Sequence, residues 1–214
     1  MREIRSEYLS QKLYIAMSII ILSLCSLSIP LIVKSYRDYN KTNQALIEIQ
    51  ALQAVADLAN KISRERAPAN KLMSSNQQAF AKHVLELKLY RLTVDEQMKK
   101  TLEVLKHSNL PNLDLSLVDR LDEALTQGRQ QVDAYAALPR EQRNAETMDQ
   151  AILKMFSAWD LSHDVLKDVI AVSEGKDTAV SNFYVQILLL ADLRDQAGRA
   201  ASNVSHSTRS CGDR

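Results

Sequence analysis

The chain opens on a short charged stretch and then carries no charge for 21 residues, Leu13 to Val33 (LYIAMSIIILSLCSLSIPLIV). Beyond Lys34 the apolar residues become spaced rather than continuous. Leu46, Ile49, Leu52, Val55, Ala59 and Ile62 recur at steps of three and four, which predicts an amphipathic helix. Pro68 falls inside this pattern and predicts a kink or an end there. Asn76 is placed to cap a second helix over 77–107, carrying Phe80, Val84, Leu87, Val94, Met98, Leu102 and Leu105. After the loop Ser108–Asp114, a third helix is expected over 116–138, stopping before Pro139. Asn144 or Thr147 can cap a fourth, which reaches Glu174 and stops at Gly175. A fifth begins near Asp177 and continues past Arg199. No run alternates with period two. The pattern predicts an all-α fold, one N-terminal transmembrane helix followed by an up-and-down helical bundle. A coiled coil is the competing architecture, but the loops at Ser108–Asp114 and Leu138–Asn144 break any single rod.

Composition sharpens this picture. Of 214 residues only 4 are Gly and 4 are Pro, too few for a fold built on many tight turns. The glycines Gly128, Gly175, Gly198 and Gly212 are isolated, so neither common phosphate-cradling loop is present. A net charge of +1 argues against a dedicated nucleic-acid binder. Cys25 and Cys211 lie at opposite ends, and the histidines His83, His107, His163 and His206 lack the spacing of a helical zinc site. No cofactor is called for, and no nucleophile–base pair is legible.

As a helix, Leu13–Val33 would span roughly 31 Å at about 1.5 Å per residue, which matches a bilayer core of about 30 Å. Lys12 and Lys34 bracket it, with Tyr14 and Tyr36 near the two interfaces. A signal-peptide core is shorter, about 7–15 residues, so the segment reads as an uncleaved anchor. Flanking basic residues tie in number, yet a short tail is easily retained while a long following domain translocates largely regardless of charge. The organisation expected is a cytoplasmic tail over 1–12, a transmembrane helix over 13–33, an extracytoplasmic helical domain over 34–202 and a disordered polar tail over 203–214.

Two arginine clusters stand out from otherwise generic helix. In ISRERAPAN (62–70), continuing the stripe 55, 59, 62 puts Arg66 where an apolar residue is expected. In ADLRDQAGRAA (191–201), the stripe Val180, Phe183 or Tyr184, Ile187 and Leu190 puts Arg194 on the next inward step, with Ala197, Gly198 and Ala201 leaving room beside it. A core-facing guanidinium is costly unless paired, and its natural partner is a carboxylate or a small oxyanion. The two arginines can converge on one anion. Alternatively they pair internally, Arg66 with Asp195 or Arg199 with Glu65. Trp159, with Met155, Phe156 and Leu166, reads as core, and His163, between Asp160 and Asp164, as a surface group.

An N-terminal span followed by a helical domain with ISRERAPAN early and LRDQAGRAAS late resembles the sensory region of bacterial membrane-bound diguanylate cyclases and chemoreceptors, related to the nitrate- and nitrite-sensing helical domain. The resemblance covers roughly residues 34–202. Ala67 stands where that group commonly has Gly. With the single apolar run 13–33, the chain is expected to be a single-pass protein of the bacterial inner membrane, in contact with the lipid bilayer, with its bulk periplasmic, and the resemblance implies an all-helical extracytoplasmic domain. It also implies a homodimer and a small-anion site, for an anion such as nitrate, using Arg64, Arg66 and Arg194, with Arg199 as a further candidate. Arg64 and Arg66 lie about 200° apart around a helix, so both can reach one ligand only if Pro68 distorts it.

Receptors of this kind continue into a second span and an output domain. No stretch after Leu190 is long and apolar enough to cross a membrane, and the chain is expected to be truncated before its output domain. The function expected is a sensory input region of a signal-transduction receptor, most naturally of a diguanylate cyclase. The competing expectation is a membrane-anchored structural or interaction bundle whose arginines serve only internal salt bridges. The chain itself is not expected to be an enzyme.

Overall fold

The computed structural model describes residues 2–75, 80–173 and 178–210, with side chains for 14–75, 80–139, 141–173 and 182–200. Among them every regular element is helical: α1 (Arg2–Met73), α2 (Phe80–Ser108), α3 (Ser116–Ala137), α4 (Ala145–Ser173) and α5 (Thr178–Ser210), with one 3-10 turn at Arg140–Gln142. The chain divides into two units, 1–46 and 47–214. The first is the N-terminal part of α1. Its segment from Tyr14 is long and apolar enough to cross a membrane, and Ile15, Leu22, Leu27 and Leu31 are all exposed.

The second unit is the bundle. Lys61 reaches Gln97 and Lys71 reaches Glu86, so α1 and α2 run antiparallel. Arg91 on α2 meets Asp133 on α3, and Asp95 meets Arg129, again antiparallel. Gly128 of α3 packs on the backbone of Lys154 and Met155 in α4; a side chain there would press on main chain, so the close approach needs glycine. Asp160 and His163 of α4 face Arg199 and Asp192 of α5. Tyr184 reaches Glu48 and Arg194 reaches Asn60, so α5 lies parallel to α1. Five alternating helices have odd parity. The chain therefore enters the bundle at one end, at Ile47, and α5 leaves at the other.

Within this unit α1 is enclosed on most of its circumference. Ala51, Leu52, Val55, Leu58, Ile62, Ala69, Leu72 and Met73 are buried. One apolar cluster gathers Leu52, Val55, Ile62, Val94, Leu121, Leu166 and Tyr184, and a second gathers Leu72, Met73, Leu87, Val132 and Met155. The bonds that tie helices inside this core are polar but satisfied. The Ala54 carbonyl accepts from Thr101 Oγ1 at 3.0 Å and from Gln97 Nε2 at 3.2 Å.

Several expectations are corrected. Pro68 does not end the first helix, which runs on to Met73. A proline inside a helix costs about 3 kcal/mol, whereas burying Leu72 and Met73 returns about 1.5–3 kcal/mol each. Leu46 and Val84, placed on inward stripes, are exposed. The α3 helix ends at Ala137, and Leu138 turns extended (ψ 140°) ahead of Pro139. Asn144 is the cap of α4, its Oδ1 accepting the Thr147 N–H at 2.8 Å. The cap at Asn76, the stop at Glu174–Gly175 and the start at Asp177 lie outside the described residues. Of the disordered tail expected over 203–214, residues 203–210 continue α5 to Ser210, and 211–214 lie outside the described residues. The helix penalties over 203–210 are only about 0.5 kcal/mol each, and no strong breaker intervenes before Gly212.

Candidate functional site

Glu65 and Arg66 are adjacent on α1 and both buried, so they face different neighbours. They form a charged layer between the two apolar clusters. On one side Glu65, with no exposed surface, takes a bidentate pair of bonds from Arg129 on α3, Nε to Oε1 at 2.9 Å and Nη2 to Oε2 at 2.7 Å. Arg91 adds an ion pair at 3.5 Å. Burial disfavours charge on Arg129, yet the Glu65 and Asp95 carboxylates more than offset it and raise its pKa.

On the other side Arg66 donates from Nη1 to Asp195 at 2.9 Å and from Nη2 to Ser63 Oγ at 2.9 Å. Its guanidinium lies 4.9 Å from the centroid of Phe156. Arg199 donates to the same Asp195 and to Asp160, and stacks on Phe156 and Trp159 at 4.5 and 5.7 Å. Burial lowers the pKa of Arg66, against the pull of Asp195, and the charges of Arg199 and Arg194 lower it further. Of the two internal pairings expected, Arg66 with Asp195 is formed. Arg199 with Glu65 is not, because Glu65 faces α2 and α3 while Arg199 faces α4.

The α5 stripe is phased one residue from the expected one. Tyr184, 2% exposed, is the anchor, while Phe183 and Leu190 are exposed. The inward steps from Tyr184 fall at Leu188, Ala191 and Asp195, so Asp195 takes the buried position assigned to Arg194. Arg194 is exposed and donates to Asn60 Oδ1. It therefore does not share an anion head-on with Arg66, whose head group is already on Asp195 and Ser63.

Arg194 stands at the lip of a cleft of about 230 Å³ between α1, α4 and α5. Asp57, Asn60 and Ser63 line its α1 wall, Trp159 its α4 wall, and Ile187 and Leu190 its α5 wall. Partial burial lowers the pKa of Arg194, and so does the nearby charge of Arg64. Arg64 itself is exposed, and among the described residues neither it nor Arg194 has a carboxylate partner. All four candidate arginines thus gather in one electrostatic neighbourhood, where Arg66 and Arg199 share Asp195 and Asp160 while Arg64 and Arg194 remain uncompensated.

His163 is not a surface group. It is buried, stacked on Trp159 at 5.2 Å between centroids, with Nε2 3.4 Å from Asp192. Sequence reasoning also missed Arg129, although the inward steps Leu121, Leu125 and Val132 leave a gap beside Gly128 that flags it. It missed Arg143, which donates to the Ala136, Leu138, Met73 and Ser75 carbonyls and so closes the ends of α3 and α1 together. No spacing signal marks that role. Among the described residues no group of three His, Cys, Asp or Glu is placed to hold a metal ion. Comparison with protein-family models, with curated proteins and with solved structures finds no match to this chain.

Proposed function

We propose that the chain is the membrane-anchored sensory region of a bacterial signal-transduction receptor, held by the segment 13–33 in the inner membrane with its bundle on the periplasmic side. The observation that carries this reading is Arg194 at the lip of a cleft, without a carboxylate partner among the described residues and within the electrostatic influence of the exposed Arg64, beside two arginines that are already neutralised. A guanidinium offers five donors and no acceptor, so one without a carboxylate partner is a seat for an anion. Arg66 and Arg199 then act as supports: with Asp195 and Asp160 they fix α5 against α1 and α4, and so set where Arg194 stands. Dimerisation and coupling to a diguanylate cyclase output belong to the same proposal and rest on the resemblance of ISRERAPAN and LRDQAGRAAS.

The test is thermal denaturation of the full chain in nanodiscs with and without nitrate or acetate. An anion at 100 times its dissociation constant stabilises the fold by about 2.7 kcal/mol. The expected result is a higher melting temperature that Arg194→Ala abolishes. No shift with any anion would overturn the reading. A second reading, a structural bundle that pairs with another chain, is favoured by the exposed apolar row Val185, Leu189 and Leu193 on α5. It expects no ligand response at all.

A further inference from the structure

The cleft is larger and more differentiated than an inorganic oxyanion requires. Its volume is about 230 Å³, several times the roughly 30 Å³ share of one water and somewhat below the pockets that hold drug-sized ligands. That is room for a small metabolite with a body as well as a head.

The lining is ordered along the helix axes. Arg194 marks the cationic end. Asn60 engages it through Oδ1 only, which leaves the amide hydrogens of Asn60 free to donate. Ser63 Oγ accepts from Arg66, which leaves its hydroxyl hydrogen to donate as well. The donors of Arg194, Asn60 and Ser63 together form an acceptor-seeking pocket. Three residues before Asn60, about 4.5 Å along α1, stands Asp57. It is exposed, lines the same cleft, and has no hydrogen bond or ion pair among the described residues. A carboxylate without a cationic partner, one turn along α1 from the Asn60 that Arg194 engages, is matched by a molecule that carries both an anionic and a cationic group. Beyond the polar row lie Trp159, Ile187, Leu190 and Ala56, an apolar wall suited to a hydrocarbon side chain.

We propose that the cleft takes a zwitterionic α-amino acid with an apolar side chain, its carboxylate on Arg194, Asn60 and Ser63, its ammonium on Asp57 and its side chain against Trp159, Ile187 and Leu190. The inference rests on the anion-binding reading of Arg194 and narrows the ligand class.

Isothermal titration of the full chain in nanodiscs with L-leucine, 4-methylpentanoate (the same carbon skeleton without the ammonium) and 3-methylbutylamine (without the carboxylate) tests it. A charge-assisted hydrogen bond corresponds to about a ten- to hundredfold change in affinity. L-leucine is expected to bind at least tenfold more tightly than either analogue. Asp57→Asn is expected to weaken leucine by that factor and leave 4-methylpentanoate unchanged, and Arg194→Ala to weaken both. Equal binding of leucine and 4-methylpentanoate, with no effect of Asp57→Asn, would overturn the zwitterion and leave the anion reading standing. Binding of the amine as tight as that of leucine, or no binding of any of the three together with no response to nitrate or acetate, would overturn both. No binding of the three alongside a response to nitrate would overturn the zwitterion alone.

Discussion

Gly198 and Arg66 occupy the same space: a Cβ built on Gly198 would lie 2.7 Å from Nη2 of Arg66. The glycine on α5 leaves room for the buried guanidinium of α1 to bond Asp195 and sit over Phe156. In a helix interior Gly→Ala ordinarily gains about 1 kcal/mol. Here the added methyl must push the Arg66 head group off Ser63 or Asp195. Gly198→Ala is expected to destabilise the bundle by about 1 kcal/mol in the wild-type background. In an Arg66→Ala background the same change should recover its ordinary gain. Urea denaturation of the four proteins in a double-mutant cycle measures the difference.

The Glu65–Arg129 pair is the most enclosed ion pair of the structure's α2–α3 side, at side-chain exposures of 1% and 17%. Removing Glu65 leaves Arg129 with the exposed Asp95 alone, and removing Arg129 leaves Glu65 with Arg91 alone at 3.5 Å. Glu65→Gln is expected to cost about 1.5–3 kcal/mol, while the double change Glu65→Leu with Arg129→Met should cost less, because a buried ion pair can be replaced by packed apolar groups. Midpoints of chemical denaturation decide it. A double variant whose loss equals the sum of the two single losses would show that the pair contributes no coupling.

Arg143 donates to carbonyls at the ends of both α1 and α3. Arg143→Lys keeps the charge but not the planar fork. Both Arg143→Lys and Arg143→Ala are therefore expected to lose about 1–2 kcal/mol. Hydrogen exchange should accelerate at the C-terminal turns of α1 and α3 and leave the centre of α4 unchanged.

Stability should fall in acid. The Lys71 hydrogen bond, with His83, holds Glu86 below its usual pKa of 4.5, and hydrogen bonds from Ser116 hold Asp114 below 3.8. A carboxylate whose folded pKa is depressed adds stability above its unfolded pKa and loses it as pH falls through the folded value. The melting temperature should therefore drop from about pH 5 to pH 3. Glu86→Gln and Asp114→Asn should each flatten part of that drop. A profile unchanged by either would disprove the assignment.

The helices were legible because periodicity, Pro139 and Asn144 are local signals. So was the apolar run 13–33, since length and hydropathy belong to the chain itself. The inward position of Arg66 followed from the same arithmetic on α1, where one unbroken stripe fixes the phase. On α5 the stripe was ambiguous between Phe183 and Tyr184. A shift of one residue turns a helix face by about 100°, which exchanges Arg194 for Asp195 at the buried step. Only packing settles that choice: Tyr184 fits beside Leu52 and Leu166 with its hydroxyl on Glu48, and Asp195 then lands between two arginines. The charged layer, the cleft and the separation of supporting from uncompensated arginines are likewise tertiary facts. Each depends on which of several carboxylates, all compatible with the helical pattern, comes to face which guanidinium once five helices are packed. The sequence determines that a buried arginine needs a partner, because an unpaired guanidinium in a core is too costly; the fold determines which arginines have one.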